Sequence, residues 1–143
     1  MKKYVLGFAF SKDFGGYDTV LLIKKNRPEW QAGHLNGVGG KVEEGEEFID
    51  AMIREFKEET DLDSTYSDWT NFLTMKSDSF IVEVYQMVTE KPLRAKSMTD
   101  EKVSHYFCIT LRNYKTISNI PWIVALALDK DSDRMKTVVE YKE

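Results

Sequence analysis

Cysteine is almost missing from this chain: Cys108 stands alone, so no internal disulfide can form and stability must come from a packed core. Histidine is nearly as scarce. His34 has no partner at ligand spacing, and His105 has only Cys108, three residues on, which would point to the opposite face of a strand. Neither histidine is therefore expected to bind a metal. No serine or cysteine stands with a convincing base, which argues against a covalent nucleophile. Long hydrophobic runs are absent too, so no segment is expected to span a bilayer. The start, MKKYVLGFAFSKD, has a basic flank and a short apolar run but no small-residue cleavage site, and it reads as a first strand rather than a leader. A net positive charge is also lacking, as 20 Lys and Arg stand against 24 Asp and Glu. A net charge of −4 with pI near 5.3 argues against a broad face for nucleic acid. With no repeat, low-complexity tract or linker, residues 1–143 read as a single domain, and the scarcity of cysteine suits a cytoplasmic protein.

What is present is globular in kind, with 42% hydrophobic and 13% aromatic residues, enough for a real core at this length. Residues 3–10 and TVLLIKK read as two strands around a turn at Gly15 and Gly16. A loop-rich stretch with Pro28 and several glycines follows, in which Leu35 and Val38 suggest a short strand. WTNFLTM and SFIVEVYQMVT read as a hairpin turning near Ser77 and Asp78, and VSHYFCI as a further strand after a polar loop. A second helix is expected over PWIVALALD, with Pro121 in its first turn and Ser118 or Asn119 as its cap. Residues 130–143 give no clear signal. Alternating strands and helices point to an α/β fold with helices on the faces of one mixed sheet.

The most informative stretch is GGKVEEGEEFIDAMIREFKEETDL, residues 39–62. As a helix from about Glu46 to Thr60, it places Phe48, Ile49, Met52, Ile53 and Phe56 on one buried stripe. Glu55, Glu58 and Glu59 then gather at the edge of that stripe, where like charges at these spacings repel by about 0.2–0.5 kcal/mol per pair. A hard divalent cation is the natural counterweight, because Mg²⁺ prefers carboxylate and carbonyl oxygen. A merely solvated acidic face is the alternative reading.

Gly40, Glu46 and the run Arg54-Glu55-Phe56-Lys57-Glu58-Glu59-Thr60-Asp61-Leu62 resemble the signature of the Nudix hydrolases, G-x5-E-x7-R-E-U-x-E-E-x-G-U with U apolar. One position departs from it. The last glycine is Asp61 here, a residue that still tolerates a left-handed helix end, so altered termination and intact acids are expected. The resemblance implies a Nudix α/β/α sandwich with a mixed β-sheet and hydrolysis of a nucleoside diphosphate linked to another group. It further implies Mg²⁺, with Mn²⁺ a possible substitute, held by Glu55, Glu58, Glu59 and the carbonyl of Gly39, with Arg54 orienting the carboxylates together with Glu46. Related enzymes often add a later acid as general base. Glu101 is the expected one, and Glu83 is a weaker candidate.

The segment around Asn36 to Lys41 looks like that of the MutT-like branch, whose asparagine at the place of Asn36 touches the base. Gly40, Asn36, Trp30 by stacking, Arg27 toward the phosphates and Asn119 before the last helix are the expected substrate contacts. Where that branch carries paired aspartates, this chain has Ser118 and Asn119, which puts that device for reading oxidised purines in doubt. The expected activity is a pyrophosphohydrolase acting on a nucleoside triphosphate, canonical or oxidised. Alternatives are ADP-ribose, dinucleoside polyphosphates or nucleotide sugars as substrates, or a nucleotide-binding domain without turnover. The expected partner is a small nucleotide, with no DNA-binding surface and no membrane, and the chain is expected as a monomer or homodimer.

Overall fold

A computed structural model of the chain describes residues 1–13, 15–90, 93–129 and 136–143. Its strands are β1 (Lys2–Lys12), β2 (Asp18–Lys24), β3 (Leu35–Asn36), β4 (Val38–Lys41), β5 (Thr70–Lys76), β6 (Phe80–Val88), β7 (Val103–Phe107) and β8 (Thr137–Glu140), and its helices are α1 (Phe48–Thr60) and α2 (Ile120–Leu128). The described strands form one eight-stranded mixed sheet. β1 lies parallel to β6 over its length, from Lys2↔Phe80 to Phe10↔Val88.

On its other side, β1 changes partner partway along. It pairs antiparallel with β2 only at Phe10, Ser11 and Lys12, and with β4 from Tyr4 to Gly7. The short β3 meanwhile pairs with β2 at Ile23 and Lys24. β1 and β2 therefore splay apart, and residues 35–41 fill the fork. Gly37 sits at the bend with no room for a side chain, since a Cβ there would press on Phe8 and the Gly7 carbonyl.

Alternation along the strands sends side chains to two cores. On one face Val5, Ala9, Leu21, Ile23, Val38 and Tyr85 pack against Met52 and Phe56 of α1. On the other, Phe8, Phe10, Leu22, Leu73 and Val84 pack against Ile120, Ile123 and Val124 of α2. The expected α/β/α sandwich is present. Full burial of Met52 and Phe56 contributes about 1.5–3 kcal/mol each, which holds α1 to the sheet. Phe56 also meets Trp69 edge-on at 5.1 Å between ring centres.

α1 starts at Phe48 rather than at Glu46, because Glu46 is outside the helix and bonded to Arg54. It ends at Asp61, whose φ of 63° is left-handed and whose N–H donates to the Lys57 carbonyl at 3.0 Å. The expected tolerance of this position is met. The turn near Ser77 forms as expected, closed by the Ser77 N–H on the Phe80 carbonyl at 2.9 Å. The strand expected over residues 103–109 stops at Phe107, and Cys108–Asn113 turn as a 3-10 helix. Asn119 precedes α2 without capping it, as its backbone is already helical and its side chain makes no cap bond. Among the residues without clear signal, β8 adds a parallel edge strand beside β5; residues 130–135 lie outside the described residues. Among the described residues, no helix is long and apolar enough to cross a membrane.

Candidate active site

Glu55, Glu58 and Glu59 come from consecutive turns of α1, and each meets a different environment. Arg54 stands among them. Its Nε and Nη2 donate to Glu46 at 2.9 and 3.0 Å, its Nη1 to Glu55 at 2.9 Å and Glu58 at 3.3 Å, and its Nη2 also to the Lys41 carbonyl at 3.0 Å. The bond to Glu46 is the chief reason its guanidinium is held more firmly protonated than usual, and the same bond draws Glu46 below the ordinary carboxylate range. Arg54 thus ties the glycine-rich segment to the helix.

Glu59 differs from its neighbours. Its side chain is buried, at 8% exposure for the residue, and its Oε2 has no hydrogen-bond partner. Burial, reinforced by the charge of Glu55, pushes its carboxyl up to about 8. Glu58 points outward, with 55% of its side chain exposed. Among the described residues, no three acidic, histidine or cysteine side chains already form a closed cation cage. Arg54 pairs with both Glu55 and Glu58 and supplies counter-charge there. The donors that remain are all hard oxygens, one of them buried and unpaired, and that chemistry suits a divalent cation of the magnesium class.

Gly39 and Gly40 bring backbone into the same place. A Cβ on Gly39 would collide with the Val5 carbonyl, and one on Gly40 with the Glu55 carboxylate. No other residue type fits at either position without a shift.

Beside these glycines opens a cavity of about 690 Å³. Trp30, Asn36, Gly40 and Asn119 all line it, together with Met75, Phe80 and Tyr141. Trp30 is 67% exposed, so it is no core residue. Asn36 is held in place by Gln31, to which its Nδ2 donates at 3.2 Å, and by the Gly37 N–H, which donates to its Oδ1 at 2.8 Å. Asn119 leaves its Oδ1 buried and without a partner, while its Nδ2 reaches the Met75 sulfur at 3.7 Å. Arg27 is the exception: it does not line the cavity, and its guanidinium pairs with Asp100 at the surface.

Glu101 is buried and turned toward the loop after β2. It accepts from Lys25 Nζ at 3.0 Å, from the Asn26 N–H at 2.6 Å and from the Arg27 N–H at 3.4 Å. Burial alone would raise its carboxyl, but the backbone N–H of Asn26 and the ammonium of Lys25 together hold it below the usual range. Glu83, the weaker candidate, is taken up by Asn71, Thr74 and Lys136.

Sequence reasoning missed Lys25 and the apolar far wall made by Met75, Phe80, Val82 and Tyr141. Alternation marks Met75, Phe80 and Val82 only as core-facing, and Tyr141 lies in the stretch that carried no signal. Lys25 was legible only as the last residue of a strand.

The family model for the NUDIX domain matches residues 5–117. No curated protein sequence matches the chain. Among solved structures, a mutator MutT protein from Bacillus halodurans has a TM-score of 0.74 at 18% identity, over 99% of this chain and 91% of its own. A NUDIX-family hydrolase from Clostridium perfringens has a TM-score of 0.68 at 25% identity, over 90% and 96%. The NUDIX domain of Shewanella oneidensis NrtR, solved with ADP ribose, has a TM-score of 0.70 at 14% identity, over 87% and 84%. With the acid helix, the glycine pair and the sandwich in agreement with that match, the chain belongs to the NUDIX family and is a Nudix hydrolase, an enzyme acting on phosphoanhydride bonds.

Proposed function

We propose that this hydrolase is a magnesium-dependent pyrophosphohydrolase that cleaves a nucleoside triphosphate, canonical or oxidised. One observation carries the reading: the cavity lined by Trp30, Asn36 and Asn119 is lined also by Gly39 and Gly40, and Gly40 abuts Glu55. A base and sugar in that cavity would leave the phosphates at the acid helix. Its volume lies within the range of about 300–1,000 Å³ common to small-molecule sites.

Glu55, Glu58, Glu59 and the Gly39 carbonyl would hold the cation, with Mn²⁺ as a substitute. When bound, such a cation polarises phosphoryl oxygens and makes coordinated water more acidic. The chain's own residues do the rest. Arg54 keeps Glu55 and Glu58 in register while the site is being filled. Trp30 offers an exposed ring for stacking, and the amides of Asn36 and Asn119 offer polar contacts to a base edge. The far wall excludes water from the base through Phe80, Val82 and Met75.

The test is Glu58→Gln combined with Glu59→Gln, assayed by phosphate release across canonical and oxidised nucleotides, ADP ribose and dinucleoside polyphosphates. The reading expects Mg²⁺-dependent turnover of a triphosphate by the wild type and its loss in the double variant. Full turnover by the variant would sink the assignment of the acids. Turnover of ADP ribose alone would replace the substrate class and leave the acids in place.

A further inference from the structure

Lys25 lies at the junction of two regions that the proposed function treats separately. It lines the nucleoside cavity, and its charge also acts on Glu59 of the acid helix. Its backbone is fixed on both sides: its N–H donates to the His34 carbonyl at 2.9 Å, and its carbonyl accepts from the Gly33 N–H at 2.8 Å. Its side chain is only 19% exposed. Such an ammonium has given up most of its hydration, and it has three donors to place. Glu101 takes one of them.

The loop carrying Lys25 is in turn stitched to the segment of Glu101. The Lys24 N–H donates to the Lys102 carbonyl at 2.8 Å, Asn26 Nδ2 to the Asp100 carbonyl at 2.8 Å, and Arg27 pairs with Asp100. Glu101 itself spends its oxygens on Lys25 and on two backbone N–H groups. A carboxylate so engaged has little capacity left to receive a proton from water. It is well suited to hold a cation in place.

We infer that Lys25 binds the phosphoryl group attached to the nucleoside, and that Glu101 is the residue positioning Lys25 rather than a free general base. The inference rests on the cavity taking a nucleoside. Two lysines line that cavity, Lys25 and Lys41; Lys41 is exposed, whereas the side chain of Lys25 is largely buried and its charge acts on Glu59, and a desolvated ammonium gains most from an anionic oxygen. The cluster would thus give the substrate's inner phosphate a fixed point before the outer phosphates meet the acid helix.

Calorimetric binding to the full chain in chelator tests this without turnover, using AMP, GMP, CMP and UMP beside the matching nucleosides. The wild type should bind at least one monophosphate about tenfold more tightly than its nucleoside, the gain expected of one charge-assisted contact. Lys25→Met should bring that ratio to about one, and Lys25→Arg should restore most of it. Glu101→Gln should lose part of the ratio, and adding it to Lys25→Met should cost nothing more. A wild-type ratio in Lys25→Met, with its melting temperature preserved, overturns the inference alone. So does Glu101→Gln that loses the acidic limb of the pH–rate profile while keeping the ratio, since Glu101 would then be the base. If the wild type binds neither monophosphate nor nucleoside, the nucleoside reading of the cavity falls too.

Discussion

Gly40 and Glu55 pack so closely that a Cβ on Gly40 would overlap the Glu55 carboxylate. The neighbour that would have to move is the end of a side chain, not backbone. Gly40→Ala should therefore fold with a melting temperature close to the wild type while kcat falls by about tenfold or more, the scale on which small misplacements cost catalysis. Gly39→Ala should behave differently, because its Cβ would meet the Val5 carbonyl within the sheet. Loss of soluble, folded protein is the expected result there. Thermal denaturation and steady-state kinetics separate the two.

Glu59 gives a prediction about metal removal. Its buried carboxyl, with Oε2 unpartnered and the charge of Glu55 beside it, is a burden to the protein in chelator, and Glu59→Gln removes the ionisable group. In chelator the variant should be at least as stable as the wild type, by up to about 1–3 kcal/mol. Adding Mg²⁺ should raise the wild-type melting temperature and leave that of the variant almost unmoved. A wild type that melts identically with and without Mg²⁺ or Mn²⁺ would refute the metal assignment.

Asp61 closes α1 in the left-handed region, with φ of 63°. Asp61→Gly should be neutral or stabilising by up to about 1 kcal/mol, and Asp61→Ala destabilising by about as much. The ion pair of Asp61 with Lys57 is exposed and contributes little either way. Turnover should be unchanged in both variants, since the residue touches no acid of the site. Urea titrations alongside kcat provide the check.

Cys108 sets a pH dependence. Burial pushes its thiol from an ordinary value near 9 up to about 12. A group with a raised pKa stays protonated longer, so at pH 8 the reactive thiolate is scarcer than in an exposed cysteine by roughly a thousandfold. Alkylation by iodoacetamide should be slow and should rise about tenfold per pH unit without levelling near pH 9. Denaturant should abolish the protection. A plateau near pH 9 in the native protein would contradict the burial.

The acid helix was legible in the sequence because a helical stripe and a row of carboxylates share one repeat. Glu55, Glu58 and Glu59 could be grouped from spacing alone, and Gly40, Arg54 and the cavity residues Trp30, Asn36 and Asn119 placed through resemblance. Other features depend on contacts between distant segments. That Glu101 would spend itself on Lys25 and the Asn26 N–H requires knowing that residues 24–27 lie against residues 100–102. Asn119 reads as a cap from its place before a helix, yet tertiary packing turns its amide toward Met75. Arg27 reads as a cation near a glycine loop, yet Asp100 claims it. Local propensity carries no information about such partners.

The parallel pairing of β1 with β6 also orders the events of synthesis. α1 can form locally, but the strand beneath it gains its central neighbour only when residues 80–88 have left the ribosome. Tyr141 must then arrive from the far end to complete the cavity wall. Of the residues that close the cavity, Tyr141 is thus the last to be synthesised. A product truncated between α2 and β8 would keep every acid of α1 and lose Tyr141 from that wall, and it should discriminate less well among nucleotides.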